Sequence, residues 1–98
     1  MKVRLLPEAE MDFLEAAQWY REQSLGLDYE FVRCIDEAIA KIGRTPLMFP
    51  TVYRERRRIL VKRFPYAIIF EVMNEEIIVF AIFHFSRNPR RWKRRLEM

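Results

Sequence analysis

Glycine, cysteine and histidine are almost missing from this chain, which has two glycines, one cysteine (Cys34) and one histidine (His84) in 98 residues. Each scarcity removes a class of chemistry. One Cys and one His cannot assemble a zinc site of any usual composition, so no metal is expected. A glycine-rich phosphate loop needs more backbone freedom than two glycines supply, and both stand where helices join or end. A lone thiol cannot close an internal disulfide, which fits a reducing cytoplasm. No signal-peptide pattern is readable, because "MKVRLLPEAEMDFL" turns acidic and has no continuous apolar run. The longest strongly apolar stretch, Ile77–Phe85, is far shorter than the ~20 residues a membrane helix requires. The expectation is a cytoplasmic protein with no cofactor and no membrane contact.

What is plentiful is apolar surface and positive charge. Apolar content of 51% with 14% aromatics argues for a folded globule. The length allows one domain, residues 1–98, burying roughly 60–70% of the surface its unfolded chain would expose. Charge is lopsided: residues 1–50 carry six Lys/Arg against nine Asp/Glu, residues 51–98 twelve against five. Such a field favours an acidic partner at one end of the molecule, whether nucleic acid or protein.

Periodicity predicts an α+β order of β-α-α-β-β-β. "KVRLL" reads as a strand that ends at Pro7, and Pro7 with Glu8 and Glu10 opens a helix. Ala9, Phe13, Ala16, Ala17 and Tyr20 give that helix one apolar face. Asp28 is the expected cap of a second helix, with Phe31, Cys34, Ile35, Ala38, Ile39 and Ile42 inward and Gly43 and Pro46 as its stop. The pair forms an αα-hairpin. Residues 44–53, with two prolines, read as a loop. "RRILVKR" alternates, placing Ile59 and Val61 together. "YAIIFEVM", a turn at Asn74-Glu75-Glu76, and "IIVFAIFHF" follow, the last apolar on both faces and therefore expected at the centre of a mainly antiparallel sheet. A short final helix is open to the chain after Pro89. Cys34 is read as a core thiol, and Trp19 and Trp92 as packing anchors.

The chemistry that remains lies in the basic half. "FHFSRNPRRWKRR" places His84 at a strand end and six basic residues within nine positions behind it. Ser86 stands near His84, but a Ser–His hydrolase would also need an orienting acid and an oxyanion loop, and neither is evident. Arginines beside a histidine at a sheet edge could bind phosphate and move protons, as RNA cleavage requires. The alternative is a strand-end imidazole sharing hydrogen bonds, followed by a solvated helix face. A plain nucleic-acid-binding module is a further reading, although the aromatics sit mostly in apolar strands rather than among the arginines.

Taken together, "EAAQWY", "FVRCIDEAIAKIGRTP", "RRILVKRFPYAIIFEV" and "IIVFAIFHFSRNPRRW" resemble the RelE/ParE superfamily of toxins from bacterial type II toxin–antitoxin modules. The resemblance spans nearly the whole chain and implies a two-helix hairpin packed on a small sheet. It also implies a cognate antitoxin and hetero-oligomerisation with it. The ribonuclease branch cleaves messenger RNA on the ribosome, and there Arg63 would stabilise charge and His84 would transfer a proton. Phe85 stands where that branch wants a tyrosine hydroxyl, and Glu55 is the nearest candidate base. The ParE branch binds DNA gyrase without cleaving RNA, and "KRFPY" and "SRNPRRW" favour it. On that reading the target- or partner-binding residues are Arg58, Arg63, His84, Arg87, Arg90, Arg91, Lys93, Arg94 and Arg95.

Overall fold

The computed structural model of the chain describes residues 1–87 and 89–97. Strand β1 (Lys2–Leu5) leads into helices α1 (Pro7–Gln23) and α2 (Leu27–Arg44). Strands β2 (Thr51–Tyr53), β3 (Arg56–Leu60), β4 (Tyr66–Met73) and β5 (Glu76–His84) follow, then helix α3 (Pro89–Glu97). All five strands form one sheet in the order β1-β5-β4-β3-β2, antiparallel except for the parallel β1–β5 pair. The α+β class and the mainly antiparallel sheet agree with the periodicity. No helix among the described residues is long and apolar enough to cross a membrane.

Local chemistry explains most element boundaries. Pro7 at the start of α1 brings a preset φ and no N–H to leave unpaired, and Glu8 and Glu10 face the positive end of the helix dipole. The hairpin reverses at Gly26, whose φ of 87° belongs to the left-handed region. Gly26, rather than Asp28, therefore occupies the capping position of α2. Asp28 lies in the first turn, where its charge still suits the dipole. Gly43 does not stop α2 but lies inside it, with Met1 close by: the amino group donates to the Gly43 carbonyl at 2.9 Å. A Cβ on Gly43 would stand 3.3 Å from the Met1 carbonyl oxygen.

Residues 44–53 are not all loop. Pro46–Met48 make one 3₁₀ turn and Thr51–Tyr53 form β2, which is too short and too irregular in register to show a period. What holds this segment is Arg57, whose guanidinium donates to the carbonyls of Phe49 at 2.6 Å and Leu47 at 3.3 Å.

Both helices pack on one sheet face. Phe31, Ile35 and Ile42 meet Ile59, Val61, Ile68, Phe70, Ile77, Val79 and Ile82 in a single core. Cys34 is buried among them, and Ile59 and Val61 share that face as their alternation predicts. Ala67, Ile69, Ile78 and Ala81 are buried on the opposite face, where α3 packs against β5 and β2. β5 is thus covered on both sides. Its alternation is broken because Phe80 is an extra residue: Phe70 pairs with Val79, while Ile69 pairs with Ala81. That bulge returns Ile82 to the helix-side core and hides the strand period in the sequence.

The β4–β5 hairpin closes on Asn74 and Glu75, with φ of 50° and 64°. Two positive φ values in a two-residue loop match the right-handed twist of the strands, and the second position ordinarily takes glycine. Glutamate pays a steric cost there. We expect Glu75→Gly to raise stability by about 0.5–1 kcal/mol, roughly 2–8 °C in Tm, while Glu75→Ala gains nothing. Thermal melting of the two variants beside the wild type checks this.

Candidate functional site

β1 ends at Leu5, paired with Val79, so the outer edge of β5 beyond Val79 has no strand beside it. Backbone groups on such an edge need other partners. Asp12 of α1 accepts the Ile82 N–H at 3.0 Å, and Arg95 of α3 donates to the Phe80 carbonyl at 3.2 Å. These two side chains also form a bidentate pair, at 2.9 and 2.7 Å, each only 20% exposed or less. One ion pair therefore caps the open edge and pins α3 to α1. Arg56 adds a second tie to α3, donating to the Leu96 carbonyl at 2.7 Å while its guanidinium lies 4.2 Å from the centre of the Phe80 ring.

Beside this clamp, between α1, the end of β5 and α3, opens a cleft of about 250 Å³. Its lining includes Asp12, Glu15, Trp19, Tyr66, His84, Arg87, Arg91 and Arg95. Arg87 lies with its guanidinium 4.5 Å from the centre of the Trp19 ring, a cation–π contact on a half-exposed indole. Trp19 is therefore an anchor for the start of the tail, not a buried core residue. The side chain of Trp92 lies outside the described residues.

His84 is held by its own turn. Its Nδ1 accepts the backbone N–H groups of Arg87 at 3.1 Å and Ser86 at 3.3 Å, and its ring meets Tyr66 edge-on with centroids 5.2 Å apart. Accepting two N–H groups at Nδ1 requires a ring without a proton there. Burial, and then the Arg87 charge, push its pKa below the ordinary imidazole value. Ser86 Oγ is 3.4 Å from the same nitrogen, so that contact belongs to the turn. Tyr66 is a poor acid as well: burial drives its pKa up to about 12, and it shares a hydrogen bond with Tyr20, whose pKa burial also raises.

The basic residues singled out in the sequence separate in space. His84, Arg87, Arg91 and Arg95 line the cleft. Arg90, Lys93 and Arg94 are exposed along α3. Arg58 pairs across strands with Ile69, on the face opposite the helical core. Arg63 sits in the β3–β4 turn with a φ of 68°, and its guanidinium reaches Glu30 of α2 at 3.7 Å. Among the described residues no hydrogen bond or ion pair joins Arg63 to His84. Sequence reasoning missed Asp12, one of several acids on α1. The only hint was that it lies one position from the apolar stripe, beside Phe13.

This fold has a solved counterpart. A chain from the structure described as "Chromosomal ParDE TA system from P. aeruginosa" superposes with a TM-score of 0.74 at 19% identity, covering 86% of this chain and 95% of that one. No curated protein matches. The family model for the ParE toxin of the type II toxin–antitoxin system parDE matches residues 3–89. The chain belongs to that family, and it is a toxin of the type II toxin–antitoxin class.

Two outcomes follow from the geometry. Asp12→Ala leaves Arg95 and the Ile82 N–H without their acceptor in a half-buried setting, and should cost about 2–4 kcal/mol. A chemical denaturation midpoint unchanged from wild type would contradict the clamp. For His84, the folded state favours the neutral ring. Its contribution is complete above the ordinary value of 6.5 and is lost as pH falls through the lowered value. The wild-type Tm should therefore drop more steeply between pH 7.5 and 5 than that of His84→Asn, whose amide oxygen accepts without titrating.

Proposed function

We propose that this toxin arrests growth by binding DNA gyrase, and that a cognate antitoxin neutralises it by forming a hetero-oligomer with it. The observation that carries the reading is the family match over residues 3–89. The site chemistry supports a binding role. The imidazole of His84 is occupied at Nδ1 by its own turn, Tyr66 is hard to ionise, Phe85 has no hydroxyl, and Arg63 pairs with Glu30. General acid–base catalysis would need two groups poised near neutral pH and within reach of one phosphate. The exposed bases of α3, together with Arg87 and Arg91, instead form a positive surface suited to fast, salt-sensitive association with an acidic or DNA-bearing target.

The test is a purified gyrase supercoiling and cleavage-complex assay run beside in vitro translation, with the full chain in both. We expect impaired supercoiling with normal translation. Removing residues 87–98 should relieve the effect, with circular dichroism and melting to show that the truncated chain still folds despite losing Arg95. Blocked translation with codon-positioned cuts and normal supercoiling would transfer the function to ribosome-dependent RNA cleavage, with Arg63 and His84 as its residues.

A further inference from the structure

Helix α1 carries apolar residues on two sides. Ala9, Ala16 and Tyr20 face inward and belong to the core. On the outward side Met11 is 56% exposed and Leu14 60%, and Leu25, in the turn that follows, is 99% exposed. Met11, Gln18 and Leu25 follow one another at steps of seven residues, with Leu14 between the first two. That is the spacing of a seam covered by another helix, whereas packing on the sheet needs only the inward stripe. Leu14, Gln18 and Glu22 form one row at four-residue spacing, Glu15 and Trp19 the next, and both rows line a shallow depression. A row beside a groove of this kind is how two helices interlock. Charge along α1 is graded as well. Glu8, Glu10, Asp12 and Glu15 precede Arg21, its single basic residue, near the carboxyl end. Arg21 is exposed and makes no hydrogen bond or ion pair among the described residues.

We propose that the outward face of α1 is a self-association surface, covered by α1 of a second copy of this chain that runs antiparallel about a two-fold axis at Gln18. Charge complementarity and register select this occupant. A parallel copy would set the acidic amino-terminal half of one helix against that of the other. The antiparallel copy sets Glu15 against Arg21 of its mate, twice by symmetry, as an isologous contact requires. The same register sets Met11 against Leu25 of the second copy, so the two ends of the apolar stripe cover each other. Leu14 lies over the aliphatic part of Glu22 of the mate, whose carboxylate stays at the rim, where it accepts from Gln18 of its own helix at 3.0 Å. Glu15 also attracts Arg95 from the cleft side, and a carboxylate with two oxygens serves both cations. One helix crossing buries less than the roughly 1,200 Å² of a standard stable interface, so the association is weak and concentration-dependent. Because Glu15 and Trp19 line the cleft at the end of β5 too, the second copy crowds that cleft from the α1 side.

The experiment combines sedimentation of the full-length chain alone, between about 5 and 200 µM, with cysteine crosslinking. The wild type should fit a monomer–dimer equilibrium, and Leu14→Glu should weaken it about tenfold or more. Leu14 is more than half exposed, so this change leaves the core intact, which thermal melting verifies. Gln18→Cys supplies the geometric readout. Helix axes about 8–10 Å apart bring the two positions on the symmetry axis within disulfide reach. Under mild oxidation Gln18→Cys should form a crosslinked dimer at least tenfold faster than Lys41→Cys, an exposed control on α2. Cys34 is buried and does not compete. A wild type that stays monomeric over the whole range overturns the proposal. So does a dimer that persists undiminished in Leu14→Glu, or a Gln18→Cys chain that crosslinks no faster than the control. None of these results bears on the gyrase reading, which the supercoiling assay tests separately.

Discussion

The open edge of β5 is the constraint on which the functional half of this molecule depends. A parallel first strand of only four residues cannot cover a nine-residue neighbour. The uncovered N–H and C=O groups would lose their solvent partners as α3 closes over them. One carboxylate and one guanidinium solve this by bonding to the strand and to each other. Because they come from α1 and α3, capping the edge also fixes where the tail lies. The clamp spends one basic residue of α3 on structure and thereby positions the others.

That division explains why the cleft is charged. Arg87 lies over the Trp19 ring, while Arg91 makes no hydrogen bond or ion pair among the described residues. His84, the residue most suggestive of catalysis, works as an acceptor for the turn that delivers Arg87. Burial and the Arg87 charge lower its pKa, which favours the neutral ring whose lone pair accepts those bonds. Arg63, by contrast, is held in a left-handed turn beside α2. Arg63 and His84 thus make separate local contacts, one with Glu30 and one with its own turn.

Much of this was legible residue by residue. The apolar stripe of α2 and the alternation of Ile59 and Val61 specify burial on one face because they repeat at the period of their own element. Pro7 with its acidic first turn specifies a helix start, and the lopsided charge specifies a basic end, because these effects act within a few residues. The αL position of Gly26, the three-residue β2 and the Phe80 bulge were not legible, since each is decided by register against a partner strand or by closure of a turn. The same holds for Asp12 and Arg95, 83 positions apart, which are ordinary surface charges in the sequence and become a clamp only where β1 stops short of β5. The sequence alone determined which elements form and where charge accumulates, because propensity and patterning are local. Only the tertiary structure decided which arginines are engaged at the sheet edge and which stay exposed, because that depends on which backbone groups the assembled sheet leaves unpaired.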